Sequence, residues 1–367
     1  MTVDVVIAGA GIVGAACALE LAEAGLKVMV VEWKIPGGGA TAAGMGHIVA
    51  MDDSEAQFRL TRYSQTLWNE LAPRLPEDAE HLPCGSLWVA ADEEEMVECR
   101  RKLSYYNERG VTAQMLDERQ LADAEPRLRR GLAGGLVTPE DSVVYPPCVT
   151  RYLLDRAKGL RALLITGKKV IAVRDGLVRL NDGSEISAGA VVNATGAVAP
   201  ELTPGIDIQP RKGHLVITDR YPGFVRHQLI ELGYIRSAHA VGTDSVAFNV
   251  QPRSTGQLLI GSSRQLGTFD PATEMPMLST MLRRAMEYLP ELAGVSAIRT
   301  WTGFRPATSD SLPLIGPCPG VDRVWLATGH EGLGITTSLA TAKVLAAQIL
   351  QRECAIPVEP YLPGRPC

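Results

Sequence analysis

Residues 3–14 read Val-Asp-Val-Val-Ile-Ala-Gly-Ala-Gly-Ile-Val-Gly, an apolar, β-branched run that leads directly into a glycine-rich turn. The run at residues 3–8 predicts a buried strand. A helical pattern follows over residues 15–24, and a second strand-like run over residues 27–31 ends at Glu32. This order of strand, turn, helix and strand is typical of the first part of a nucleotide-binding fold.

The glycine spacing and the acidic residue together predict a dinucleotide site. Gly9 permits a tight turn, Gly11 lets the backbone approach a pyrophosphate, and Gly14 lets the helix pack closely on the strand. The phosphates are expected at the positive N-terminal end of the helix. Glu32 follows Gly14 by eighteen residues and can accept hydrogen bonds from ribose hydroxyls. The alternative, a glycine turn without a ligand, is disfavoured because the motif lies between a strand and a helix.

The composition of this 367-residue chain, with 46% hydrophobic and 21% charged residues, is that of an ordinary soluble protein of one large or two smaller domains. A net charge of −5 argues against nucleic-acid binding. No apolar run reaches the roughly eighteen residues of a membrane span. The first strand begins at residue 3, which leaves no room for a signal peptide. We therefore expect a cytoplasmic protein.

Cysteine and histidine spacing gives no sign of a metal site. The seven cysteines are scattered without a C-x-x-C pair, and the six histidines show no ligand spacing with each other or with the cysteines. We expect no bound metal and no disulfide framework.

Several later stretches suggest further structure near a ligand. Residues 36–46 contain five glycines, which predicts either a loop that approaches a ligand closely or a flexible loop. Residues 190–196 read as an apolar strand that ends on Asn-Ala-Thr-Gly, and residues 323–351 as a strand, a glycine turn and a long helix. Residues 210–262 predict a mixed antiparallel sheet in a second domain.

Other helices are expected from the hydrophobic periodicity. They cover Ser54–Ala72, Glu93–Arg109, Glu118–Leu128, Arg151–Lys158 and Pro276–Tyr288. The last of these is predicted to place Met277, Met281, Leu282 and Ala285 in a core.

Four stretches in this order resemble the FAD-dependent D-amino-acid oxidase and glycine oxidase family. They are Gly9–Gly14 with Glu32, the loop Thr41–Gly46, the turn Asn193–Gly196, and the segment from Gly303 to Gly334, which begins Gly-Phe-Arg-Pro-Ala-Thr. Within the family, residues 42–47 and the ending Gly-His-Glu-Gly-Leu-Gly-Ile-Thr-Thr look most like bacterial D-hydroxyproline dehydrogenases. The resemblance spans nearly the whole chain.

The resemblance implies an α/β fold, α+β overall, of the glutathione-reductase type. A Rossmann-like FAD-binding domain would take residues 1–50, 140–210 and 295–367. A mixed antiparallel-sheet substrate domain, interleaved with it, would take residues 51–139 and 211–294.

The resemblance also implies the cofactor and its contacts. FAD would be bound without a covalent link, because Thr41 stands where relatives with covalently attached flavin carry a histidine. The cofactor-binding residues would be Gly9, Ala10, Gly11, Ile12, Val13, Gly14, Glu32, Trp33, Thr41, Ala42, Ala43, Gly44, Gly46, Val170, Ala194, Thr195, Gly196, Gly303, Arg305, His330, Gly332, Leu333, Gly334, Ile335 and Thr336.

The implied chemistry is the oxidation of a small amino or imino acid, with D-hydroxyproline or D-proline favoured. Arg305 would hold the substrate carboxylate, and hydride would pass from the Cα–H group to flavin N5 to give an imine. His47, Met45 and Glu331 are the other active-site candidates. The alternative for Arg305 is a surface arginine that pairs with Asp310.

One departure from the family and several alternatives stay open. The family carries an active-site tyrosine on a strand before a Pro-Arg pair, but residues 247–253 contain none, and Tyr234 is the nearby candidate to replace it. A glycine or sarcosine oxidase or dehydrogenase shares most of these features. An NAD-dependent dehydrogenase is a weaker alternative. A third is a flavin-carrying electron-relay subunit of a hetero-oligomer. The electron acceptor would be dioxygen or a redox partner subunit.

Overall fold

The computed structural model describes residues 2–233 and 244–365. Tyr234, the candidate to replace the family's tyrosine, lies outside these residues. The chain divides into two compact units, one made of residues 1–79, 145–211 and 304–367 and the other of residues 80–144 and 212–303.

The described part of the chain contains strands and helices that are numbered here in chain order. The strands are β1 (Thr2–Ala8), β2 (Val28–Glu32), β3 (His47–Ile48), β4 (Ser86–Ala90), β5 (Gln114–Asp117), β6 (Gly134–Thr138), β7 (Ser142–Val143), β8 (Leu163–Thr166), β9 (Val170–Arg174), β10 (Leu177–Leu180), β11 (Glu185–Asn193), β12 (Gln209–Thr218), β13 (Gln228–Glu231), β14 (Ser245–Pro252), β15 (Leu258–Leu266), β16 (Ala297–Ala307), β17 (Leu314–Pro317) and β18 (Val324–Thr328). The α-helices are α1 (Ile12–Glu23), α2 (Glu55–Leu71), α3 (Glu93–Glu108), α4 (Glu118–Ala124), α5 (Pro146–Gly159), α6 (Ala199–Leu202), α7 (Met275–Tyr288) and α8 (Gly334–Ile349).

The first compact unit is built on a mostly parallel sheet with the strand order β17-β18-β11-β1-β2-β8. Strand β1 pairs in parallel with β2 and with β11, so the first two strands of the chain lie beside a strand from its middle. Val6, Val31 and Val191 are buried in one core cluster, and the adjacent residues Ile7, Val30 and Val192 are buried as well, so these strands are apolar on both faces. The mixed α/β fold with a Rossmann-like domain is confirmed.

Helix α2 belongs to this first unit, although the sequence prediction places residues 51–79 in the substrate domain. The Trp68 indole N–H donates to the backbone carbonyl of Thr336 over 2.9 Å, and the Ser64 hydroxyl accepts from the Ala340 N–H over 3.2 Å. These bonds join α2 to the last helix, and no periodicity within α2 could reveal them.

The second compact unit is built on a mixed sheet with the strand order β16-β12-β15-β14-β13-β4-β6-β5. Helix α7 contributes to its core through Leu278, Met281, Ala285 and Tyr288. The Tyr288 ring stacks on Phe248 with a centroid distance of 4.4 Å and an interplanar angle of 4°. Of the four residues predicted to lie in a core, Met281 and Ala285 are buried in this cluster and Leu282 packs against it, whereas Met277 is only partly buried.

Helix α5 begins at Pro146, five residues before the predicted start at Arg151. Proline at the first helical position is a start signal. The N–H group at that position has no partner within any helix, so proline, which lacks it, loses no hydrogen bond there. The two prolines at residues 146 and 147 therefore open this helix. Helix α4 ends at Ala124, four residues before its predicted end at Leu128.

Among the described residues, no helix has both the length and the apolar character that a membrane crossing requires.

The hydrogen bonds of Asn193, at the end of β11, predict how much this side chain stabilises the fold. Its amide donates to the Ala199 carbonyl over 3.0 Å and to Thr203 Oγ1 over 2.9 Å, and its Oδ1 accepts from the Thr195 hydroxyl over 2.6 Å. The side chain is fully buried. We expect Asn193→Leu to lower the free energy of unfolding by about 3 kcal/mol, since it leaves buried partners without bonds. Urea unfolding measures this, with the exposed Asn107→Leu as control, and an equal loss in both variants would contradict it.

Candidate functional site

The turn between β1 and α1 can form only with glycine at two positions. Gly9 has φ +101°, and a Cβ atom there would lie 2.6 Å from the Ala194 carbonyl oxygen. A Cβ at Gly14 would lie 2.1 Å from the Gly9 carbonyl oxygen. Both distances are too short for a real side chain, so the strand, the turn and the helix approach each other as closely as the backbone allows.

The N-terminus of α1 is tied to the glycine-rich loop that follows β2. Thr41 is buried, and its hydroxyl oxygen accepts from the Ile12 N–H over 3.0 Å. Gly11, the residue before the helix, supplies no side-chain cap. Ala10 is buried, and Val13 is partly buried. The first turn of the helix therefore presents backbone N–H groups without a capping side chain of its own, as anion-binding helix ends do.

The carboxylate of Glu32 is held at the tip of β2. One oxygen accepts from the Ala10 N–H and the other from the Lys34 N–H, each over 2.8 Å. The neighbouring Trp33 is 51% exposed, with the ammonium groups of Lys34 and Lys169 at 4.7 and 4.8 Å from its ring centre. Val170 follows Lys169 and joins the same core cluster as β1 and β2. The Lys168 N–H donates to the Glu32 carbonyl over 3.2 Å, so the segment that leads into β9 lies beside the end of β2.

The predicted Ala194–Thr195–Gly196 turn lies at the same edge of the sheet. The Ala194 N–H donates to the Ala8 carbonyl over 2.9 Å, which places the turn directly beside the end of β1. The Thr328 hydroxyl at the end of β18 donates to the Gly196 carbonyl over 3.1 Å. The carboxyl ends of β1, β11 and β18 therefore meet here, where parallel sheets bind ligands.

The loop Thr41–Gly46 meets the start of α8. A Cβ at Gly44 would lie 2.7 Å from Ile335 Cδ1, and the Thr336 hydroxyl donates to the His47 carbonyl over 2.8 Å. Exposure falls along this loop after Thr41, because Ala42 is exposed, Ala43 is partly buried and Met45 is buried. Gly46, which ends the loop, has φ +96°. The glycine-rich loop after β2 and the glycine turn before the last helix thus lie close together within the first unit.

His330 is turned into the fold. Its Nε2 lies 2.9 Å from Thr341 Oγ1 on α8, the side chain is 4% exposed, and burial lowers its pKa to about 3. The imidazole is therefore neutral and anchors the turn that precedes α8. The His330 side chain thus faces α8, and its assignment to the cofactor stays a prediction.

Glu331 and Gly332 form the tip of that turn. Glu331 has φ +48°, which is unusual for a residue with a side chain, and its carboxylate pairs with the guanidinium of Arg211. Gly332 is exposed, and Leu333 and Gly334 are partly buried where α8 begins.

Arg305, on β16, lies beside the same tip. A Cβ at Gly332 would be 3.8 Å from Arg305 Cδ and 3.9 Å from its Nε. The sequence offered Asp310 as an alternative partner of Arg305. In the structure, the Arg365 guanidinium binds the Asp310 carboxylate through two hydrogen bonds of 2.6 and 2.8 Å. Gly303 belongs to the other compact unit.

Sequence reasoning missed Arg211 and Arg365. Arg211 lies 120 residues from Glu331, and Arg365 lies 55 residues from Asp310. Neither spacing corresponds to a helix, hairpin or motif period, so only the folded chain reveals these pairs.

His330 gives a prediction for the pH dependence of stability. The folded state holds this residue neutral with a pKa near 3, whereas an unfolded histidine titrates near 6.5. The unfolded state therefore binds more protons between these values, and stability falls as the pH drops from about 6.5 towards 3. We expect His330→Gln to weaken this fall, measured by urea unfolding at pH 7.5 and 5. Equal falls in both proteins would contradict the buried neutral imidazole.

Comparison with known proteins agrees with this geometry. The family model described as "FAD dependent oxidoreductase" matches residues 4–348. The hydrogen cyanide synthase subunit HcnC of Pseudomonas aeruginosa is 29% identical, covering 99% of this chain and 96% of the relative. The crystal structure of glycine oxidase from Geobacillus kaustophilus superposes with a TM-score of 0.90 at 28% identity, over 100% and 99% of the two chains.

The crystal structure of L-proline dehydrogenase from P. horikoshii superposes with a TM-score of 0.89 at 26% identity, over 99% and 97% of the two chains. A family model that spans nearly the entire chain and two full-length structural matches lead to one conclusion. The chain belongs to the FAD-dependent oxidoreductase family that this model describes.

Proposed function

We propose that this protein oxidises a small amino or imino acid, with D-hydroxyproline or D-proline as the favoured substrate. The observation that carries the proposal is Arg305 beside Gly332, at the turn that precedes α8, the helix whose start meets the loop Thr41–Gly46. The names of two similar proteins, a glycine oxidase and an L-proline dehydrogenase, support a small amino acid as substrate. The preference for hydroxyproline rests on the resemblance of residues 42–47 and 329–337.

The residues of the first unit fit an adenine dinucleotide. Gly9 and Gly14 form a turn without side chains, the first turn of α1 lacks a side-chain cap at Gly11, and the Glu32 carboxylate is fixed at the tip of β2. Such a turn can hold a pyrophosphate on backbone N–H groups, and such a carboxylate can bind ribose hydroxyls. We assign FAD to these residues, held without a covalent link.

Arg305 binds and orients the substrate in this proposal. A planar guanidinium grips a carboxylate through two parallel hydrogen bonds, so it fixes the substrate in both position and rotation. The FAD that these residues would hold supplies the acceptor for the hydride, which carries both electrons away from the substrate Cα–H group. Holding the Cα–H group in one orientation is therefore the main catalytic contribution we assign to the protein. The neutral His330 anchors the turn beside Arg305 and takes no proton at neutral pH.

Two other functions have observations in their favour. A glycine or sarcosine oxidase or dehydrogenase is supported by the structural match to glycine oxidase, and it would use Arg305 in the same way. A flavin-carrying relay subunit of a hetero-oligomer is supported by the relative that is named as a subunit of hydrogen cyanide synthase. In that second case, Arg305 would have no substrate carboxylate to bind. The electron acceptor is dioxygen or a redox partner subunit.

An anaerobic reduction screen separates these functions. FAD-loaded protein is mixed without oxygen with D-hydroxyproline, D-proline, sarcosine or glycine, and the flavin absorbance near 450 nm is followed. We expect the fastest bleaching with D-hydroxyproline or D-proline. Faster bleaching with glycine or sarcosine would select the first alternative. A yellow protein that none of the four bleaches would favour the relay subunit.

A further inference from the structure

Three charged side chains of the first unit meet around the turn that precedes α8. Glu331 pairs with Arg211, and the next residue, Gly332, lies beside Arg305. The side chains of Arg211 and Glu331 are 18% and 14% exposed, so solvent screens their charges only in part. The turn therefore combines two guanidinium groups with one carboxylate.

The Glu331 carboxylate determines the net positive charge of the three groups around this turn. With Glu331 ionised, its carboxylate neutralises Arg211, and the formal charges of these three groups sum to one positive charge. Without Glu331, the same three positions would carry two positive charges. An anion bound at Arg305 would then interact with both cations, because Coulomb energy in a partly buried site extends over several ångströms.

The backbone indicates that the pair has a positioning role. Glu331 adopts a left-handed conformation at φ +48°, which side chains larger than glycine rarely occupy. Of its two neighbours, His330 bonds to Thr341 on α8, and Gly332 lies beside Arg305. The ion pair with Arg211 thus holds Glu331, the charged residue at the tip of the turn, in place.

We propose that Glu331 and Arg211 form a charge-balancing pair that sets the affinity of Arg305 for a carboxylate. Glu331 is a positioning residue that does not contact substrate, and Arg211 is a second cation that Glu331 keeps neutralised. The inference rests on the proposed function in one respect, because that function assigns a carboxylate to Arg305. It also predicts the direction of two changes. Removing the Glu331 charge strengthens anion binding at Arg305, and removing the Arg211 charge weakens it.

The test titrates FAD-loaded full-length protein with acetate, whose binding perturbs the flavin spectrum. We expect Glu331→Gln to lower the Kd for acetate about tenfold and Arg211→Met to raise it about tenfold. The double variant should lie within about twofold of the wild type, since the net charge is restored. Arg211→Lys keeps the charge and should also stay within about threefold.

A second readout does not depend on ligand binding. The reduction potential of the bound flavin should rise in Glu331→Gln and fall in Arg211→Met, because positive charge favours the reduced, negatively charged flavin. Shifts of the same sign in both single variants, in acetate affinity or in potential, would overturn the inference and indicate a merely structural pair.

Failure of the proposed function is distinguishable from failure of this inference. If acetate affinity depends on Arg305 but the two charge variants shift in the same direction, only the charge-balancing pair is wrong. If acetate affinity is unchanged in Arg305→Leu, the carboxylate role of Arg305 is wrong, and the potentials of the two charge variants then decide whether the pair balances charge.

Discussion

Replacing Arg305 with leucine is expected to lower kcat/KM for the preferred amino acid by about a thousandfold while FAD binding is kept. Truncating one partner of a hydrogen-bonded charge pair typically costs 2–5 kcal/mol, and about 4 kcal/mol corresponds to this factor. FAD should remain bound, because the dinucleotide turn, Thr41 and Glu32 are connected to one another without Arg305. Steady-state kinetics and the flavin content of purified protein measure both parts.

The controls for this prediction come from the same strand. Arg305→Lys keeps the charge but loses the two-point grip, so an intermediate loss is expected. Arg299→Leu removes an exposed guanidinium from β16 and should leave kcat/KM within about twofold of the wild type, as is usual for surface substitutions. Full activity of Arg305→Leu, or an equal loss in Arg299→Leu, would contradict a carboxylate-binding role.

The second large effect is expected at Gly14. A Cβ there would lie 2.1 Å from the Gly9 carbonyl oxygen, so Gly14→Ala must displace the turn or the start of α1. Because the pyrophosphate is proposed to bind at this turn, we expect the Kd for FAD to rise at least about a hundredfold. Fluorescence titration of the FAD-free protein measures the change.

Gly39→Ala is the matched control for Gly14→Ala. Gly39 lies in the glycine-rich loop after β2, does not require a positive φ, and leaves open space where a Cβ atom would stand, with no neighbouring atom within 4 Å. The control should bind FAD as the wild type does. Circular dichroism establishes whether Gly14→Ala is folded, and a folded variant with wild-type FAD affinity would show that the dinucleotide is bound elsewhere.

The sequence predicted the dinucleotide turn well because all of its determinants are local. The strand, Gly9, Gly14 and Glu32 lie within 32 residues, and each residue type follows from a requirement of the backbone or of hydrogen bonding. The resemblance to a family assigned both the loop Thr41–Gly46 and the start of α8 to the cofactor, but the contact between them was not predicted. Spacing alone does not connect Gly44 with Ile335.

The parts that sequence reasoning missed depend on distant pairs or on a choice between two local signals. Arg305 was the one partner considered for Asp310, and the fold instead gives this aspartate Arg365, 55 residues further along the chain. The side chain of His330 could have faced a ligand or the helix, and burial against Thr341 decides for the helix. Pro146 could end one segment or begin another, and here it begins α5.

A crystal structure of the protein with FAD and a bound carboxylate such as acetate would examine the cofactor turn and Arg305 in one experiment. We expect the pyrophosphate at the Gly9–Gly14 turn, the flavin ring near the loop Thr41–Gly46, and the carboxylate on the Arg305 guanidinium. A dinucleotide bound away from that turn, or a carboxylate bound with Arg305 directed away from it, would contradict the proposed binding of cofactor and substrate.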